Sequence, residues 1–147
     1  MADSTVAAKL LVKPDSALWL SDTSQAGLIG ELPPGASLAA DLASAATAIL
    51  FAQDAASLRK ALSEHERSLG EPATFWVAYP KANRTDINRD TIWPILAEFG
   101  MRPIGQVAID ATWSALRFRK LKTGEAPFTG GVIEGYSRLD ELLATLG

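Results

Sequence analysis

Three features of the 147-residue sequence predict a three-layer α/β sandwich whose mostly parallel sheet is closed by a C-terminal antiparallel β-hairpin. Short apolar runs of strand type alternate with segments of helical spacing, the pattern of consecutive βα units. One run, Thr74–Tyr79, is apolar at successive positions, as a strand covered on both faces must be. The last two runs are separated by Asp110-Ala111-Thr112 alone, which permits a hairpin and is far too short for a parallel crossover of about a dozen residues. Right-handed crossovers then restrict the topology to a Rossmann-like sandwich of about six strands.

In chain order, Leu10–Lys13 leads through the turn signal Lys13-Pro14-Asp15-Ser16 into a first strand at Ala17–Ser21. A weak helix over about Gln25–Leu32 stops at Pro33-Pro34-Gly35, where proline and glycine cannot continue a helical ladder. A second strand is expected at Ser37–Asp41. Ala43–Ala46 favours helix by propensity yet leaves little room before the strand Thr47–Ala52, so its state stays open. Asp54 suits a helix cap, and Leu58, Leu62, His65 and Leu69 recur at helical spacing up to Gly70. The central strand Thr74–Tyr79 stops at Pro80. The next helix is capped near Asp86 or Asn88, buries Ile92, Trp93, Leu96 and Phe99, and ends at Gly100; Pro94 inside it predicts a kink or a late start. Ile104–Ile109 and Trp113–Arg119 form the hairpin. Residues 10–121 thus make the Rossmann-like domain, and residues 122–147 a flexible linker followed by an amphipathic helix. That helix has Ser137 as cap and Leu139, Leu142, Leu143 and Leu146 as stripe, and is expected to dock on its own domain in preference to a second copy.

Composition narrows the function classes. With 48% hydrophobic and 21% charged residues the chain can bury a substantial core. It has no cysteine, which removes disulfide scaffolds, zinc fingers, iron–sulfur sites and thiol catalysis together. A formal charge of −3 gives no bulk attraction to nucleic acid. Met1–Lys9 lacks a cationic start followed by an apolar core, and no apolar run approaches the roughly 18 residues of a membrane span. A cytoplasmic protein is expected, which makes the sequon Asn83-Arg84-Thr85 an accident of sequence.

A parallel sheet ending in one antiparallel strand resembles the fold of S-adenosylmethionine-dependent methyltransferases, with Ala17–Ser21 in the place of their first strand and Trp113–Arg119 in that of their last. At sequence level, Phe75-Trp-Val-Ala-Tyr-Pro-Lys81, the Thr85-Asp86 pair and Asp110-Ala-Thr-Trp-Ser-Ala-Leu-Arg-Phe-Arg119 are similar to a family of small bacterial proteins catalogued as a domain of unknown function. That resemblance covers about Leu10–Lys120 and implies a fold without implying an activity.

A cofactor-binding methyltransferase needs a glycine-rich turn after its first strand and an acid after its second for a ribose hydroxyl. Here the turn reads Leu20-Ser-Asp-Thr-Ser-Gln-Ala-Gly27, with one late glycine, and Asp41 stands near the acidic position. The strand ends supply Ser21, Asp22, Thr23, Asp41, Tyr79, Lys81 and Asp86 as a candidate ligand or interaction site, because open α/β sheets bind beyond the carboxyl ends of their strands. Asp22 and Asp86 equally suit helix caps. Asp110, Thr112, Trp113, Ser114, Arg117 and Arg119 form a second cluster. Alternation sets Ala115, Arg117 and Arg119 on one face, where Arg117 needs a carboxylate: Asp110 or another acid of the chain by preference, or an external anion. The lone histidine, His65, belongs to a leucine stripe, which argues against a Ser–His–Asp triad. No ordered Asp-rich loop suggests a metal. The cofactor is left unnamed, as is the oligomeric state. The expectation is a non-catalytic domain that binds a protein or small-molecule partner, with a methyltransferase-like enzyme as the alternative.

Overall fold

The structure, a computed structural model, describes residues 6–81 and 86–126. Six strands form one sheet: β1 (Ala17–Leu20), β2 (Ser37–Leu38), β3 (Thr47–Phe51), β4 (Thr74–Pro80), β5 (Met101–Ala108) and β6 (Trp113–Lys120). Their spatial order is β2-β1-β3-β4-β6-β5. β1 pairs in parallel with β2 and β3, and β3 with β4, whereas β6 runs antiparallel to both β4 and β5. Among the described residues, four α-helices accompany the sheet: α1 (Val6–Lys9), α2 (Ala26–Ile29), α3 (Ala55–Glu64) and α4 (Arg89–Ala97). This is the mixed Rossmann-like α/β sheet that the alternation and the closing hairpin predict.

The hairpin's inner strand is set by composition. β6 is buried on both faces from Trp113 to Leu116 and lies between two partners. β5 carries Pro103 and Gly105, with a register irregularity between them, and these residues suit an edge. The two sheet faces make two cores. One holds Trp19, Leu50, Phe75, Val77, Leu116 and Phe118 against Leu58 and Leu62 of α3 and Ile92 and Leu96 of α4. The other holds Leu18, Leu20, Ile49, Trp76, Ala78 and Ala115 against Ala7, Leu10, Val12 and Ile29.

Helix α1, where Leu10–Lys13 alone was expected as a lead-in, ends in a left-handed residue. Leu11 has φ 64, with Leu11 N donating to Ala8 O and Val12 N to Ala7 O. That bonding satisfies two orphan carbonyls of the helix. Leu10 O accepts instead from Trp76 Nε1 at 2.8 Å inside the core, so a sheet side chain pins the N-terminal segment.

Several boundaries are shorter than sequence suggests. The expected helix over Gln25–Leu32 is a 3-10 turn, Thr23–Gln25, followed by the four residues of α2, because Gly30 adopts φ 76 and ends the ladder. β2 has two residues, Ser37–Leu38, not five, since Asp41 turns outward to cap a 3-10 turn at Leu42–Ser44; that turn resolves the ambiguous Ala43–Ala46 stretch. The Leu58-to-Leu69 stripe divides into α3 and a 3-10 turn, Glu66–Ser68, with His65 between them and its ring edge against Trp19. Helix α4 starts late, at Arg89, capped by Asn88, and keeps Pro94 in its interior. Residues 82–85, with the sequon, and the C-terminal helix expected after Ser137 lie outside the described residues.

Candidate functional site

The strand order reverses direction between β1 and β3: β2 lies on one side of β1, and β3 and β4 follow on the other. In an open α/β sheet that reversal opens a crevice at the carboxyl ends of the strands. Ser21, just after β1, lies at this point. Its amide continues the ladder to Ile49 O at 3.0 Å, and its Oγ accepts from Phe51 N at 2.7 Å, which ties the ends of β1 and β3 together.

The four acids of the candidate set reach the carboxyl edge and bond backbone amides there. Asp22 Oδ1 accepts from Ser24 N at 3.0 Å and Ser24 Oγ at 2.6 Å, capping the 3-10 turn that includes Thr23. The Ser24 hydroxyl and then its amide hold the Asp22 carboxyl below the ordinary aspartate range. Asp41 Oδ1 takes Ser44 N at 2.9 Å beyond the edge strand β2. Asp86 Oδ1 takes Ala55 N at 2.8 Å, so it caps α3, not the following helix, and braces the Asp54 cap that bonds Ser57 N at 2.8 Å. Asp110 Oδ1 takes both Thr112 N and Trp113 N at 2.7 Å and shapes the hairpin turn. Each bond is a side-chain replacement for a missing backbone partner.

Lys81, Thr112, Asp110 and Trp113 come together. Lys81 N donates to Thr112 O at 2.8 Å, and Trp113 sets its ring edge-on to Phe51, centroids 5.4 Å apart. Tyr79 is buried on the α3/α4 face, and Ser114, its partner across β4–β6, is buried with it. Asp41 stands apart, beyond the far edge strand, and Arg117 lies mid-strand, between Trp76 of β4 and Gly105 of β5.

The expected pairing of Arg117 with Asp110 does not form. Asp110 is turned into its own loop, and Arg117 makes no ion pair with a described residue; its Nε is buried without a partner. Among the described residues, the acid that meets the arginines of this face is Glu125, which falls in the stretch expected to be a linker. Glu125 accepts from Arg119 Nη1 and Nη2 at 2.8 and 2.7 Å, from Arg102 Nη1 at 3.1 Å and from Lys122 N at 2.9 Å. The Arg119 hydrogen bonds, then the Lys122 amide, pull its carboxyl down to about 2. No local signal marks this clamp beyond the turn that Lys122 and Glu125 share, because its cations come from β5 and β6.

Two hollows lie away from the carboxyl edge, one of about 310 Å³ between α1 and Glu31–Pro34, the other of about 240 Å³ along Ser63–Ser68. Neither is lined by a candidate residue. Among the described residues no group of three or more metal-ligating side chains converges, and no helix is long and apolar enough to cross a membrane.

Solved structures share this architecture. A protein of the NADB-Rossmann superfamily from Streptococcus agalactiae superposes with a TM-score of 0.50 at 12% identity, over 88% of this chain and 72% of its own. A Streptococcus pneumoniae protein described as a candidate tRNA (m1A22) methyltransferase gives 0.50 at 11% identity, over 99% of this chain and 78% of its own. Identities this low establish the Rossmann-like, methyltransferase-type fold and nothing finer. No family model and no curated protein matches the chain, so the similarity to the bacterial family of unknown function has no support from these comparisons.

Proposed function

We propose that this chain is a methyltransferase-like domain that takes S-adenosylmethionine, or a ligand of the same adenosyl class, at the carboxyl edge of β1 and β3. The observation that carries this reading is the strand order, which combines a switch point at β1/β3 with one reversed strand, β6, inserted between β4 and β5. Asp41 keeps one carboxylate oxygen without a described partner and stands after β2, where a ribose hydroxyl would be met. A small acceptor suits the formal charge of −3 better than a nucleic acid does. The cytoplasm, and membership of the small bacterial family carried by Tyr79-Pro80-Lys81 and Asp110–Arg119, belong to the same proposal.

A second reading, a non-catalytic domain that binds a partner or small ligand, rests on a specific observation. Ser21 Oγ is spent on Phe51 N and the Asp22 carboxylate on Ser24, where a cofactor site would keep glycine and open backbone. Calorimetric titration with S-adenosylmethionine separates the two. Saturable micromolar binding, about −8 kcal/mol, that weakens roughly tenfold in Asp41→Ala supports the adenosyl site. No heat at millimolar ligand sinks it and leaves the non-catalytic reading.

A further inference from the structure

The sheet face that carries Arg117 continues onto β5 through Gly105 and Val107, which pair with Arg117 and Ala115. Burial thins in that direction. Trp113 and Ala115 are buried, whereas Arg117, Arg119, Arg102, Gly105 and Val107 are only half-buried. Charge on this face is left unanswered at Arg117: Glu125 bonds Arg102 and Arg119, and Arg117 Nε is buried with no partner among the described residues.

Glu125 fixes where the described chain ends. With Leu121 N on Gly100 O and Glu125 clamped between two arginines, the described chain ends at Ala126 on this same face. The 21 residues from Pro127 to Gly147 carry Leu139, Leu142, Leu143 and Leu146 at i, i+3, i+4 and i+7, and three acids, Glu134, Asp140 and Glu141, against one base, Arg138. The 12 residues before Leu139 reach up to about 40 Å, more than the roughly 27 Å length of an eight-residue strand.

We propose that the arginine-bearing face of β5 and β6 is the docking surface for the chain's own C-terminal segment, residues 136–147, with its leucines over Val107 and Gly105 and Asp140 or Glu141 against Arg117. The apolar stripe and the acidic excess match an apolar margin and the unanswered charge of Arg117 on the face. The tether supplies an effective concentration in the millimolar range, which favours the chain's own segment over a second copy. This inference is independent of the adenosyl site.

Because the chain has no cysteine, paired substitutions report the contact cleanly in the full-length protein. Val107→Cys is combined in turn with Leu139→Cys, Leu142→Cys, Leu143→Cys, Leu146→Cys and, as a control on the opposite side of the spacing, Arg138→Cys; far-UV circular dichroism verifies that each pair folds. Mild oxidation at low micromolar protein is followed by non-reducing electrophoresis and intact mass. The expected result is an intramolecular disulfide at one or two leucine positions, forming at least about tenfold faster than with Arg138→Cys. Adding Arg117→Glu slows that reaction about fivefold, the factor carried by one part-buried ion pair. Covalent dimers would assign the face to a second copy and overturn the proposal. Equal rates at all five positions, or no cross-link at any, would also overturn it.

Discussion

Trp76→Phe tests whether one hydrogen bond holds the N-terminal segment to the sheet. Trp76 lies on β4, 2% exposed, and its Nε1 donates to Leu10 O at 2.8 Å, with Leu10 itself fully buried. Phenylalanine keeps the apolar ring and removes the donor, so the carbonyl is left without a partner in a dry site. An unpaired buried acceptor costs about 1–3 kcal/mol. The smaller ring adds a void of roughly 40 Å³, about 1 kcal/mol at about 24 cal/mol per Å³. The sum is about 2–4 kcal/mol, a large share of the roughly 5–15 kcal/mol that holds a domain of this size folded.

Urea unfolding followed by circular dichroism reads that loss as a midpoint lower by about 1–2 M with an unchanged slope, for a slope near 2 kcal/mol/M. Trp19→Phe is the control. It removes a similar ring volume from the other core, at a residue 7% exposed whose indole nitrogen has no described partner, and should cost about 1 kcal/mol. If Trp76→Phe costs no more than Trp19→Phe, the Leu10 carbonyl reaches water and the pinning argument is wrong.

The remaining predictions concern caps, backbone and pH. Asp54→Ala and Asp86→Ala each remove an amide partner from the first turn of α3, at Ser57 N and Ala55 N, and each should lower stability by about 1 kcal/mol in the same urea assay. Gly35→Ala should cost more than Gly100→Ala. Both residues have positive φ, 78 and 75, but a Cβ at Gly35 would collide with the Asp15 side chain while Gly100 has open space; the αL penalty alone is about 1–2 kcal/mol. Glu125 has a folded-state value near 2, below its ordinary 4.5, so it contributes stability that is present above about pH 4.5 and is lost as pH falls toward 2. Thermal midpoints of the native chain and Glu125→Gln should therefore differ at pH 6 and converge near pH 2; a constant difference would show that the clamp acts through packing and not charge.

Much of the sheet was legible because its strands are covered. Thr47–Phe51 and Thr74–Pro80 are buried almost throughout, so their apolar runs are continuous and unambiguous. The elements that sequence missed or overextended are short and held from a distance. Helix α1 has four residues, with Leu10 fixed by a tryptophan 66 positions away, and β2 has two exposed residues whose extent is set by the Asp41 turn. Local propensity carries no record of such partners.

The candidate site was legible in position and not in role, and the carboxylates show why. Sequence placed Asp22, Asp41, Asp86 and Asp110 after strands, and three of the four cap or turn the segment that follows them, while Asp86 reaches back to the preceding helix. A short connection at a strand end leaves amides without partners, and aspartate is the residue that supplies one. The same type at the same place would hold a ribose or a cation. Spacing therefore cannot separate the two uses. In Asp22, Asp41, Asp86 and Asp110 alike the bonds fall on Oδ1, so Asp41 is singled out by its place: it is the one of the four that follows β2, where a ribose hydroxyl would be met, and its substitution decides between an adenosyl site and a scaffold that has lost one.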